Sequence, residues 1–348
     1  MKIVIAPDSY KGCLPAREVA EAMAAGVREA CPEAELVLHP LADGGEGTLE
    51  ILSQALGGSL REANVSDPLG REIQAQYGVA GDLAVIEVAR ACGLGLLSPA
   101  ERNPLKASTR GVGELILAAW RDGCRRFLIG LGGSATCDGG TGMLAVPGIR
   151  DAFRDASFEL LCDVRAPFIG PDGAARVFAP QKGASPADVE VLEERLTQLA
   201  RQMATETGTD VSRLPGAGAA GGLGGALMAY AHATVSSGVD RIMDLVGFGQ
   251  ALQGADWILT GEGRSDAQTL LGKVPCGVLH RSGSIPVALV SGAIANADAL
   301  RKAGFARLIP VSPTGLPLQE ALRPEKAISN IRHAVSQLLA SLPSLHCL

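Results

Sequence analysis

Two apolar, β-branched runs near the start of the chain, Lys2 to Ala6 and Glu35 to His39, are separated by Pro15 to Ala30. Within that separator Val19, Met23 and Val27 recur every four residues, which lines one face of a helix. A helix that carries the chain back between two strands leaves them parallel. The opening forty residues therefore predict a β-α-β unit, and parallel strands need helices over both faces of their sheet. Similar runs recur at Trp257 to Thr260, Val287 to Ser291 and Arg307 to Val311, each followed by Pro, Gly or polar turn residues. Helical patterns at Glu46 to Leu56, near Lys273 to Arg281, at Asn296 to Ala303 and at Glu325 to Leu339 alternate with them. The fold class is α/β, with a Rossmann/flavodoxin-like parallel-sheet domain built from both chain ends, residues 1–60 and 251–348.

The middle of the chain has another rhythm. Arg61 to Gly93 shows short alternating segments, Ile73 to Val79 and Ala84 to Val88, with turns at Asp67-Pro68-Leu69-Gly70 and Gly81-Asp82. This reads as a hairpin rather than a crossover unit. A helix at Gly113 to Ala119, strands at Arg126 to Leu131 and Phe158 to Leu161, and a helix at Ala187 to Glu206 follow. Residues 61–250 are read as an inserted second α/β domain with a mixed sheet. A length of 348 residues exceeds the roughly 250–300 at which one core stops growing, which agrees with two domains.

Composition removes several function classes. A net charge of -6 and 3% aromatics leave neither a basic stripe nor stacking platforms for nucleic acid. The eight cysteines, Cys13 to Cys347, form no C-x-x-C pair, so reduced thiols in a cytoplasmic protein are expected. Met1 to Ala6 stops at Pro7 and Asp8 without the apolar core of a signal peptide. The uncharged run Leu214 to Val239 contains seven glycines and a proline, which speaks against a membrane span.

In an open parallel sheet, ligands sit beyond the carboxyl ends of the strands. Asp8, Ser9 and Lys11 follow the first strand, Asp43 and Glu46 the second, and Glu262 and Asp266 the strand at Trp257. A lysine there can neutralise phosphate, and a carboxylate can hold Mg²⁺ or accept a hydroxyl proton. Plain capping competes for these residues: Asp8 and Ser9 can cap a helix and Asp43 can open a turn. Forty-four glycines, against a usual share of about 7%, imply many turns that approach something closely. Gly216-Ala217-Gly218-Ala219-Ala220-Gly221 and Gly130-Leu131-Gly132-Gly133-Ser134-Ala135 match dinucleotide-binding patterns literally, but neither lies in a β-α-β unit with a ribose-binding acid. No P-loop, H-E-x-x-H or serine elbow occurs, and the five histidines are isolated.

The segments IAPDSYKG, LADGGEGT, GLGGSATCDGGTGML, CDV with GPDGAARVFAPQKGA, LPGAGAAGGLG and LTGEGRSDAQTLLGKVPCGV, in that order over residues 1–280, resemble the bacterial two-domain glycerate kinase family. The resemblance implies transfer of the γ-phosphoryl group of ATP to a hydroxyl of D-glycerate with Mg²⁺, giving 2-phosphoglycerate, in a cleft between the two domains. It also allows a homodimer. Carried over by position, it puts Lys11, Asp43, Glu46, Asp163 and Lys182 in catalytic roles. The lysines would bind phosphate or the glycerate carboxylate, and one of the three acids would accept the hydroxyl proton. Asp138, Glu262 and Asp266 become the metal candidates. Asp8, Ser9, Gly44, Gly45, Gly132, Gly133, Ser134, Gly139, Gly216, Gly218, Gly221 and Gly222 become the substrate and nucleotide contacts. Phosphoryl transfer asks for positioning and charge neutralisation more than for a covalent nucleophile, which suits glycine loops and lysines.

The chain departs from the family in three places. It is shorter between Met143 and Cys162, Cys137 stands where the family usually has Asn, and Arg165-Ala166 replaces an Asn-containing turn. If the short segment removes a strand, its neighbour becomes an unpaired edge. The alternatives are then an impaired homologue that still binds ligand and, on the glycine matches alone, an NAD(P)-dependent oxidoreductase.

Overall fold

The structure, a computed structural model, describes residues 1–313 and 315–341. His346 and Cys347 lie outside the described residues. Two compact units form, one from Met1–Asp43 together with the chain from Ile242 onward, the other from Gly44–Arg241. The sequence reading placed these changeovers near residues 60 and 250. The helix Thr48–Ala55 accounts for the first difference, because it packs on strands of the second unit.

In chain order the strands are β1 (Lys2–Ile5), β2 (Glu35–Leu38), β3 (Ser59–Ser66), β4 (Glu72–Ala80), β5 (Leu83–Glu87), β6 (Arg126–Gly130), β7 (Ser157–Leu161) and β8 (Thr234–Ser236). They continue with β9 (Trp257–Thr260), β10 (Arg264–Ser265), β11 (Val287–Ser291), β12 (Ala293–Ile294) and β13 (Arg307–Pro310). The first unit holds a five-stranded sheet in the order β13-β11-β9-β1-β2, parallel throughout. This is the doubly wound order in which the chain leaves β1 first to one side and later to the other, so a crevice opens between β1 and β9. Val19, Met23 and Val27 of the helix Ala16–Ala30 are fully buried against Ile3 and Ile5, each contributing about 1.5–3 kcal/mol of burial. The C-terminal helix Pro324–Ala340 adds Ile331, Val335 and Leu339 to the same core.

The second unit holds a six-stranded sheet, β3-β4-β5-β6-β7-β8. β3 to β5 pair antiparallel and β5 to β8 parallel. The Asp67 turn closes the first hairpin, its carboxylate accepting from the Leu69 and Arg71 amides at 2.8 and 2.9 Å. β3 was not legible as a strand. Its sequence SLREANVS is polar because it lies at a sheet edge and is mostly exposed, where charged residues discourage pairing with other chains. The shortened segment leaves no gap. Helices Thr141–Leu144 and Ile149–Asp155 carry the chain from β6 to β7, and β7 is paired on both sides, Arg126↔Ser157 to Gly130↔Leu161 and Glu159↔Thr234 to Leu161↔Ser236. The feared open edge does not arise. The uncharged run after Leu214 folds into a buried helix, Leu223–Ala231, and the edge strand β8; among the described residues no helix is long and apolar enough to cross a membrane. Cys13, Cys31, Cys92, Cys124, Cys137 and Cys276 are free thiols.

Gly26 shows how tightly the first unit's outer helices meet, since a Cβ there would lie 2.3 Å from the Arg332 carbonyl oxygen. Gly26→Ala should therefore destabilise the protein by about 1–3 kcal/mol through overpacking, read as a lower urea midpoint at unchanged slope.

Candidate active site

The carboxyl ends of β1, β9 and β11 are drawn together by short backbone contacts. The Ala6 and Asp8 amides donate to Leu259 and Gly261 carbonyls at 2.7 and 2.8 Å, and Thr260 Oγ1 donates to the Ala6 carbonyl at 2.7 Å. Gly261 has no room for a side chain, because a Cβ would stand 1.7 Å from the Val290 carbonyl oxygen. Tyr10 Oη reaches across to that same carbonyl at 2.8 Å. These contacts frame a cavity of about 490 Å³ at the β1/β9 crevice, lined at its polar end by Asp8, Ser9, Lys11, Glu262 and Lys273 and at the other by Leu316, Leu318 and Leu322.

Asp8 is 3% exposed. Burial, and then the neighbouring Asp43 carboxylate, hold its carboxyl well above the usual range, against the pull of Lys11 and of the Ser9 amide. That amide donates to Asp8 Oδ1 at 2.7 Å. Lys11 Nζ lies 3.8 Å from Asp43. Ser9 Oγ is buried, lines the cavity and has no hydrogen-bond partner, an arrangement that costs stability unless a ligand supplies the partner. Glu262 is 5% exposed and held by three side chains: Ser265 Oγ (3.1 Å) and Thr269 Oγ1 (2.6 Å) donate to Oε1, and Lys273 Nζ (2.9 Å) to Oε2. Asp266 caps the following turn through the Gln268 amide at 2.9 Å and pairs with Arg264. Lys273, Tyr10 and the hydroxyls around Glu262 were missed in the sequence. The available signal was Gly272-Lys273-Val274-Pro275, a cation opening the helix Val274–Arg281.

In the second unit Ser134, Asp138 and Lys182 meet at the loop after β6. Lys182 Nζ, 3% exposed, donates to Ser134 Oγ at 2.9 Å and to the Thr136 carbonyl at 2.7 Å, and burial lowers its pKa. Asp138 accepts at Oδ2 from the Thr109 amide and hydroxyl (both 2.9 Å) and the Gly142 amide (3.0 Å), and at Oδ1 from the Gly140 amide (3.0 Å). Asp163 accepts from the Gly238 and Val239 amides at 3.1 and 3.2 Å, and Glu46 is exposed. The glycines touch protein. A Cβ on Gly132 would lie 2.5 Å from Gly45 Cα, and one on Gly44 would lie 2.7 Å from the Leu161 carbonyl oxygen. Gly221 and Gly222 press on Thr136 and Gly139, and Gly218 on Pro167. Gly216 has only ordinary contacts, and Gly133 packs on Ala89. No strand precedes Gly216, which follows the helix Pro186–Thr207; a dinucleotide loop would need one. Among the described residues no three His, Cys, Asp or Glu side chains could share a metal ion.

One further buried acid went unread in the sequence. Glu87 ends β5, is 2% exposed and accepts from the Leu49 amide at 3.4 Å. Burial lifts its pKa to about 7, with Arg90 opposing and Glu50 and Glu46 adding to the shift. The folded protein thus keeps a proton that the unfolded chain releases near 4.5, and stability present below pH 4.5 is lost as pH rises through 7. Glu87→Gln removes that loss. Its advantage over the natural protein should grow between pH 4.5 and 7 to roughly 2–3 kcal/mol, measured by denaturant unfolding at pH 4 and pH 8.

Comparison with known proteins adds an independent finding. The model of the glycerate kinase family matches residues 3–153 and 145–342, and the two pieces meet where the chain is short. Glycerate kinase of Bacillus subtilis strain 168 is 39% identical over 375 aligned positions, covering 98% of each chain. Glycerate 2-kinase of Escherichia coli K12 is 38% identical with the same coverage. The crystal structure of a Salmonella typhimurium LT2 protein described as a glycerate kinase 2 superposes with a TM-score of 0.82 at 39% identity, over 98% of both chains.

Proposed function

Because the chain belongs to the glycerate kinase family, we propose that it transfers the γ-phosphoryl group of ATP to the 2-hydroxyl of D-glycerate. The observation that carries the site assignment is the Asp8–Ser9–Lys11–Asp43 cluster at the β1 end of the first unit's sheet, a buried acid next to a second acid and a lysine. Asp8, a buried carboxyl that lines the cavity and is pushed up by burial and then by Asp43, is the acid we assign to accept the hydroxyl proton. Lys11 neutralises charge on the transferring group.

The metal assignment moves from the sequence reading. Asp138 already accepts four hydrogen bonds, Glu262 is taken up by two hydroxyls and a lysine, and Asp266 caps a turn. Mg²⁺ keeps several waters and binds through one or two carboxylates plus substrate phosphates, so a cage of three acids is not required. Asp43, partly exposed beside Asp8, fits that need. When bound, Mg²⁺ would offset the charge that develops on the phosphate oxygens. Lys182, Ser134, Asp138 and Asp163 have supporting parts, holding the loops after β6 and β7 in place. The short segment leaves the second sheet intact, which favours an active enzyme over an impaired homologue.

Purified protein given D-glycerate, ATP and Mg²⁺ should release ADP and form a single phosphoglycerate, identified as the 2-isomer by phosphorus NMR. A folded protein without turnover refutes the reading. Asp8→Asn and Asp43→Asn should each lower kcat at least about a hundredfold. In steady-state kinetics Asp43→Asn should also raise the Mg²⁺ concentration needed for half-maximal rate, while Asp8→Asn should leave it unchanged.

A further inference from the structure

We infer that the first unit's cavity is the nucleotide site and that Lys273 is its phosphate-holding cation, aimed by a Glu262 cradle. The inference rests on the kinase reading and assigns one of its two substrates to a place. The cavity has two chemically different ends. One is polar, at the carboxyl ends of β1 and β9; the other is a wall of Leu316, Leu318 and Leu322. D-Glycerate carries a carboxylate and two hydroxyls on three carbons and has no apolar surface to place on that wall. A purine nucleotide divides in the same way as the cavity, an apolar-faced base at one end and phosphates at the other.

Three cations line the polar end, and they differ in how firmly they are held. Lys11 is 61% exposed and 3.8 Å from Asp43; Arg264 is 72% exposed and pairs with Asp266 at 3.4 Å. Lys273 is 32% exposed and meets Glu262 at 2.9 Å. Glu262 is itself locked on its other oxygen by Ser265 and Thr269, and Ser265 leans on Ser291 at 2.7 Å. An ammonium has three donors, so one is fixed on Glu262 and the others remain for phosphate oxygens. Fixing the stem beforehand removes the entropy a free lysine loses on binding. Across the same cavity Ser9 Oγ is buried without a partner, and a phosphate oxygen supplies the acceptor it lacks. Glu262 is then a positioning residue, neither metal ligand nor base.

The test is titration calorimetry of the full chain with ATP, ADP, AMP and adenosine, each with Mg²⁺. Lys273→Met should weaken ATP and ADP at least tenfold and change adenosine less than twofold, while Lys273→Arg should recover most of the loss. Leu322→Glu should weaken all four ligands and leave KM for D-glycerate within twofold. ATP affinity unchanged in Lys273→Met, or a rise in KM for D-glycerate alone in Leu322→Glu, overturns the inference. Should Lys273→Met fail to fold, methylation of lysines in the natural protein followed by mass spectrometry replaces it: ATP should protect Lys273 and adenosine should not, and equal labelling with and without ATP overturns the assignment. Failure of the kinase reading is separate, seen as nucleotide binding without phosphoglycerate formation.

Discussion

The parallel pairing of β1 with β9, tightened where both strands end, is the constraint on which the candidate site depends. Asp8 can be buried only because the loop after β1 is tied to Gly261, and Gly261 can lie there only because it lacks a side chain. The same approach places Ser9, Glu262 and Lys273 around one cavity. A longer or less glycine-rich connection would let water reach Asp8, and its carboxyl would return toward an ordinary acidity.

The site also shows how buried charge is managed on a small scale. Glu262 is nearly inaccessible and has three donors, so the energetic penalty of removing a carboxylate from water is offset by hydrogen bonds. Asp8 is buried with less compensation, and burial followed by the Asp43 carboxylate raises its pKa. Two acids on one sheet edge thus differ in surroundings because of neighbours one to eleven residues away in the chain or on another strand. In the second unit Lys182 is treated like Glu262, with its ammonium held by Ser134 and Thr136.

Glycine is the residue whose meaning changed most between sequence and structure. Gly132, Gly44, Gly221 and Gly222 read as cradles for phosphate, yet each faces protein backbone or a side chain at distances that exclude a Cβ. A glycine is needed wherever backbone comes close to anything, and the residue type cannot say whether the neighbour is a ligand or another loop.

The sequence by itself determined the first sheet and the family. Periodic Val19, Met23 and Val27, the apolar runs after residue 257, and motifs spread over most of the chain are local signals that tertiary context reinforces. It determined the middle hairpin as well, through its turn residues, but not β3 or β8, whose edge positions let their sequences be polar or short. Only the tertiary structure decided the partners of each charge. That Asp138 accepts from Thr109, that Lys273 meets Glu262, and that Ser9 lacks a partner follow from which loops lie side by side. Such contacts depend on ångström distances between residues remote in the chain, and no local pattern of residue types encodes them.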